Sequence, residues 1–258
     1  MKESKIQWTD HTWSPWWGCS KVSRGCKLCY ADTFSKRLGL RIWGQDADRR
    51  HLSSKHWEMP LHWNEDASRR RVEYKVFPSM CDPFEDREDL KPLRRRFLSL
   101  ISHTKYLQWL LLTKRPENVI EDLPANAHLL VSVEGNSVKD RIRTLKMIRS
   151  LDSYRAQRIY GLSVEPLVEP LDLSNDLIGI DWVIVGGETG HGAQRMEGRW
   201  AQNIYSACHN AGKAFFFKQW GDAALEADQN EFHHLERVMQ WPAKLGPAVT
   251  KKEALKHA

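Results

Sequence analysis

Asp181-Trp182-Val183-Ile184-Val185-Gly186-Gly187-Glu188 is an unbroken apolar run that ends in two glycines and a carboxylate. A run of this length without polar alternation suits a strand covered on both faces, as in a parallel sheet. The same shape recurs along the chain. Tyr74 to Asp82, Leu107 to Arg115, His128 to Glu134, Arg158 to Glu165 and Ala214 to Gly221 each contain an apolar run that gives way to polar residues toward its end. Between them, Glu88 to His103, Ser137 to Arg149 and Trp200 to Ala211 carry apolar residues at three- and four-residue spacing. Ser137 is expected to cap its helix and Gly212 to stop the last one. Strands alternating with helices of this length predict βαβ units, an α/β chain with a parallel sheet.

In such a sheet, and in a βα barrel above all, loops converge at the carboxyl ends of the strands and chemistry gathers there. Asp82, Thr113, Lys114, Glu134, Glu165, Glu188, Lys218 and Gln219 are therefore expected around one mouth. A lone carboxylate at a strand end is more often a cap or a loop acceptor, and a buried ion-pair network is the competing reading for these groups.

The 258 residues correspond to about 1.7 typical domains, so one large domain or two small ones are allowed. With 41% hydrophobic and 28% charged residues, a disordered chain and a membrane bundle are both excluded. No apolar stretch reaches membrane-spanning length and the start lacks a signal-peptide pattern, so no membrane partner and a cytoplasmic location, in a bacterium or a phage-infected host, are expected. Residues 1–222 read as the main domain, 41–72 as an aperiodic insertion over the mouth, and 223–258 as a peripheral appendage with a basic tail. The net charge of +6 permits a polyanionic partner, and Arg69 to Arg71 are candidates for phosphate contacts.

Five cysteines occur, and Cys19, Cys26 and Cys29 fall within eleven residues. An odd, clustered set does not resemble a disulfide framework. Three thiolates on a short loop can hold three irons of a four-iron cluster and leave the fourth open to a small molecule. Gly18 and Gly25 let the backbone wrap closely, and a helix beginning near Tyr30 would point its amides at an anionic cluster. The competing metal is zinc, with His11 as a fourth ligand. Cys81 and Cys208 read as isolated buried thiols. Five of the twelve tryptophans, Trp8, Trp13, Trp16, Trp17 and Trp43, lie in the first fifth of the chain; they are candidates to shield a reactive centre, against ordinary core packing.

The stretches Trp8-Thr9, Thr12-Trp13, Gly18-Cys19, Cys26 and Cys29-Tyr30-Ala31, with Ser163 to Leu167, Trp182 to Gly190 and Phe215 to Gly221, resemble a phage-encoded three-cysteine-motif family of unknown function that is radical-SAM-like. The likeness runs in order over residues 6–222. It implies a partial (βα) barrel with a long N-terminal cysteine/tryptophan-rich loop. It further implies a 4Fe-4S cluster on Cys19, Cys26 and Cys29, with S-adenosyl-L-methionine beside it, reductively cleaved to a deoxyadenosyl radical. By strand order Asp82 would take the methionine amine, with Tyr30 beside the cluster, Ser132 and Glu134 toward the ribose or carboxylate, and Lys114 balancing charge. Glu165, Glu188 and Lys218 would serve the substrate. An external electron donor, a nucleic acid or nucleotide substrate, and a protein partner encoded nearby are the implied partners. The superfamily usually spaces its cysteines more closely than the six residues between Cys19 and Cys26. The rival function is a zinc-stapled phage protein that binds nucleic acid or a partner without catalysis.

Overall fold

The computed structural model describes residues 4–251. Seven strands form one sheet in sequence order: β1 His11–Thr12, β2 Tyr74–Phe77, β3 Leu107–Thr113, β4 Ala127–Ser132, β5 Tyr160–Val164, β6 Trp182–Gly186 and β7 Ala214–Gln219. Every pairing is parallel, and the sheet curls into a partial (βα) barrel. The six longer strands lie inside the apolar runs. The two-residue β1 has no such run; it is held by pairing with Val76 and Phe77 and by the Asp10 carboxylate, which accepts the Lys75 N–H at 2.8 Å.

Side chains alternate between two cores, as strand geometry requires. Leu111, Leu129, Val131, Val183, Val185 and Phe217 face the helices, whereas Leu110, Leu130, Trp182, Ile184 and Phe216 fill the concave face. The helical layer comprises α1 Tyr30–Arg37, α2 Ser54–Arg70, α3 Lys91–His103, α4 Asp140–Leu151, α5 Gly198–Asn210 and the short α6 Glu226–Glu231. Gly212 follows α5 with φ +62°, the left-handed stop expected of it. Ser137 does not cap α4: it sits in a preceding 3-10 turn, and Lys139 is the capping position.

Three expectations change. The segment 41–72 is irregular only in its first part; Ser54–Arg70 is a helix that buries Trp57, Pro60, Trp63 and Ala67 against β2 and β3. Those residues keep helical spacing, which the surrounding His and Arg obscure. Arg69, Arg70 and Arg71 end that helix just before β2 begins, at the amino ends of the strands and away from the mouth; Arg69 and Arg70 pair with Asp66. The segment after residue 222 is not peripheral. Met239 bridges β7 at Phe216, Leu245 packs in the concave core, and Thr250 donates to Asp10, so this segment covers the free edge of β7 and closes the floor of the half-barrel. The basic tail beyond it, 252–258, lies outside the described residues. Among the described residues no helix is long and apolar enough to cross a membrane.

Candidate functional site

The cysteine loop lies over the carboxyl ends of β2 and β3. Gly18 holds φ +116°, and a β-carbon there would strike the Ile42 carbonyl oxygen, so the turn into Cys19 requires glycine. Cys26 ends a 3-10 turn, and Cys29 is the capping residue of α1. Cys19, Cys26 and Cys29 line one cavity of about 140 Å³ together with Tyr30, Asp82, Lys114 and Ser132. Cys81 lines it too, which corrects its reading as an isolated thiol; Cys208 is buried in the helix-facing core as expected.

Charged groups fasten the loop from below. Glu85 accepts from the Ser20 N–H at 2.9 Å and the Ser20 hydroxyl at 2.6 Å, and Arg49 grips both its oxygens. Burial opposes ionisation of Glu85, but Arg49 and Ser20 outweigh it and hold its carboxyl below the usual range. Arg115 donates to Asp82 at 2.9 Å, to the Ser20 carbonyl at 2.8 Å and toward the Cys19 sulfur at 3.6 Å. Burial, then the Asp82 carboxylate, pushes the Cys19 thiol up to about 12, with Arg115 pulling the other way. Burial likewise raises Cys29, while the backbone N–H groups of Asp32 and Ala31 in the first turn of α1 favour its thiolate. Asp82 accepts from the Thr113 hydroxyl, the Lys114 and Phe84 N–H groups and Arg115. Its carboxylate thus organises the β3 end while bordering the cavity.

A second cavity, of about 160 Å³, opens beside the first and shares Cys29, Tyr30, Phe77, Lys114 and Ser132 with it. Its far side carries Ser163, Glu165, Glu188, Lys218 and Trp8. Lys218 pairs with Glu165, both about one-fifth exposed. Glu134 lies just outside both cavities, beneath Gly25, paired to Lys114 and accepting from Ser23 at 2.6 Å and Arg141 at 2.9 Å. Burial would raise its carboxyl, but Lys114 and the other donors keep it lowered. A β-carbon on Gly25 would meet the Glu134 side chain at 2.5 Å, so glycine lets the loop descend onto this group. The Tyr30 hydroxyl is spent on the Ser79 carbonyl at 2.6 Å while part of its ring faces solvent.

Of the eight strand-end residues expected around the mouth, all but Glu134 and Gln219 border one of the two cavities; the Gln219 side-chain amide donates to the Gly187 carbonyl at 3.2 Å. Among the early tryptophans, Trp43 and Trp8 line them; Trp13 and Trp16 are buried elsewhere, and Trp17 instead meets Arg50 and Phe34. His11 stacks on Trp63 with ring centroids 4.4 Å apart and meets Tyr74 edge-on, on the helix-facing side of the sheet, so it does not join the cysteines. Arg49, Glu85, Ser20, Ser23 and Arg141 were not readable as site residues, because each is an ordinary polar residue until the fold brings it to its partner. Among the described residues no three His, Cys, Asp or Glu side chains stand close enough to hold one metal ion.

A solved structure of spore photoproduct lyase shares the fold. A cysteine-to-serine mutant of that enzyme aligns with 91% of this chain and 74% of its own, at 13% identity and a TM-score of 0.52. A complex of the lyase with dinucleoside spore photoproduct aligns at 13% identity and a TM-score of 0.42, over 70% of this chain; this chain spans 56% of its length. A mutant with bound AdoMet and the same dinucleoside gives 14% identity and 0.42, over 74% of this chain and 58% of its own. No curated protein sequence matches the chain significantly. Residues 3–249 match one family from end to end, and the chain belongs to the DUF5131 family of proteins of unknown function.

Proposed function

We propose that this chain is an iron-sulfur enzyme of the radical S-adenosylmethionine type, of phage-linked ancestry, that modifies a nucleic acid or nucleotide. One observation carries the reading: three cysteines from one loop border a single cavity at the carboxyl end of a parallel half-barrel, next to a second cavity that carries Glu165, Glu188 and Lys218. The donor set fits a cluster better than a single ion. Sulfurs around zinc lie at about 2.3 Å from it and so crowd one another, whereas a four-iron core is held by thiols set further apart.

When bound, the cluster and S-adenosylmethionine would supply one-electron chemistry and a carbon-centred radical. The chain's own residues do the rest. Cys19, Cys26 and Cys29 hold the cluster; Arg115 and the first-turn amides of α1 offset its negative charge. Lys114 and Ser132, shared by both cavities, are placed to orient the cofactor's polar groups, with Asp82 and Glu134 holding the strand ends that carry them. Glu165, Glu188 and Lys218 face the second cavity, where they bind polar substrate atoms or pass protons. From the cysteine loop through α1 and just beyond it, exposed Lys27, Arg37 and Arg41 alternate with exposed Phe34 and Leu38, a mixture suited to phosphates and unstacked bases.

Cys81 supports a second reading, in which four thiols hold a purely structural metal. Anaerobic reconstitution, metal analysis and low-temperature electron paramagnetic resonance with and without S-adenosylmethionine separate the two. The enzyme reading expects a four-iron signal that shifts with the cofactor, loss of iron in Cys19→Ala, and retention of both iron and shift in Cys81→Ala. Stoichiometric zinc, lost equally from Cys19→Ala and Cys81→Ala, overturns it.

A further inference from the structure

The second cavity holds an acceptor that lacks a donor. Glu188 is only 4% exposed; its Oε2 accepts the Gln194 N–H at 2.8 Å, and its Oε1 has no hydrogen-bond partner among the described residues. Buried acceptors are almost always satisfied, so an orphan on a residue that lines a cavity marks a carboxylate able to turn to a ligand's N–H. The position of Glu188 is set by close backbone packing. A β-carbon on Gly187 would collide with the Trp220 carbonyl, and the Asp222 N–H donates to the Glu188 carbonyl at 3.0 Å.

The rest of the cavity complements that acceptor. Lys218 carries three N–H bonds and gives Glu165 one, which leaves donors for a ligand acceptor next to the N–H. The Ser132 and Ser163 hydroxyls also line the cavity. Trp8 and Phe77 supply flat apolar walls, their ring centroids 4.7 Å apart. A planar heterocycle presenting an N–H beside an acceptor has this complement, and every nucleobase presents that pair on its Watson–Crick edge. In a duplex this edge is already occupied, and an enzyme that reads it takes the base out of the stack.

Resting on the nucleic-acid reading above, we propose that the mouth cavity receives one unpaired nucleobase and reads its Watson–Crick edge, with Glu188 accepting its N–H and Lys218 donating to the neighbouring acceptor. The substrate class is then single-stranded or flipped-out nucleic acid.

The test is equilibrium binding of a mixed-sequence single-stranded dodecamer and of the same strand annealed to its complement, at fixed salt, to the full-length protein. The expected result is tighter single-strand binding by the wild type, and a loss of about tenfold to a hundredfold in single-strand affinity in Glu188→Ala, the range for a hydrogen bond to a charged group. Duplex binding, carried by phosphates, should not change. If Glu188→Ala fails to fold, Glu188→Gln, of the same size, replaces it. Equal affinity for both forms, no binding, or single-strand affinity untouched by either variant overturns the proposal. Iron loading and S-adenosylmethionine cleavage are measured on the same preparations. Cleavage without Glu188-dependent binding would leave the enzyme reading standing and this one refuted, and binding without iron the reverse.

Discussion

The two ends of the half-barrel use the same kinds of buried charge in opposite ways. At the floor, Arg158 is 1% exposed and spends its donors on Asp152 and on the Leu123, Pro124 and Ala127 carbonyls. At the mouth, Arg115, 7% exposed, bonds Asp82, Ser20 and the Cys19 sulfur. One arginine ties backbone to backbone and is satisfied. The other fastens the cysteine loop over the mouth. Buried charge alone is thus no sign of function; what separates the two ends is that the mouth cavities gather four cysteines and the Glu188 carboxylate, whereas the clefts at the floor are lined without a cysteine.

The contrast is tested most severely at the two arginines. Arg158→Met should cost about 3–5 kcal/mol in urea unfolding, because it strands Asp152 and several carbonyls, while leaving iron loading of the folded protein intact. Arg115→Met should cost less stability but impair iron loading. If the two variants shift stability and loading alike, the division between floor and mouth is wrong.

A smaller effect is expected at Gly25. Gly25→Ala drives a methyl group into Glu134 and should cost about 1–3 kcal/mol while weakening S-adenosylmethionine binding through Lys114, read by calorimetric titration of the reconstituted protein. The same substitution at Gly39, where an added β-carbon meets nothing, serves as the control, although its φ of +73° brings some backbone strain.

Next comes a pH effect confined to the floor. Burial, then Arg158 and Lys75, depresses His128 to about 3, and its ring is engaged by the Ile159 N–H and by Gln108. The unfolded chain therefore binds more protons than the folded one between about pH 6.5 and pH 3, so stability falls as pH drops through this window. From pH 6.5 to 5.5 the loss should be about 1 kcal/mol in urea midpoints, and His128→Gln should flatten it. The smallest stability effect belongs to Lys218→Met: its pair with Glu165 is partly solvated and worth about 0–1 kcal/mol, so a large loss of substrate binding with little change in melting would mark it as a site group.

How much of this could be read in advance differs by element. The strands around Leu111, Val131 and Val185 were legible because a fully covered strand needs an unbroken apolar run. β1 was not, since His11 and Thr12 gain their extended form from β2 and from Asp10 rather than from their own pattern. The helix over Ser54–Arg70 was hidden by Pro60 and by the polar residues between its buried tryptophans. In the site, the three clustered cysteines announced themselves through thiol chemistry and spacing. Cys81 did not, because a single cysteine far along the chain carries no spacing signal.

The sequence by itself determined the alternation of strands and helices, the parallel sheet and the polar ring at its carboxyl ends, because these follow from local hydrophobic period and from which residues end each run. The tertiary structure alone decided that Cys81 borders the cysteine cavity, that Glu85 and Arg49 anchor the loop, that His11 lies outside it, and that Glu188 keeps one acceptor unmatched. Each of those facts depends on which side of a strand a residue faces and on what comes near it from tens of residues away, and neither is encoded in a local pattern.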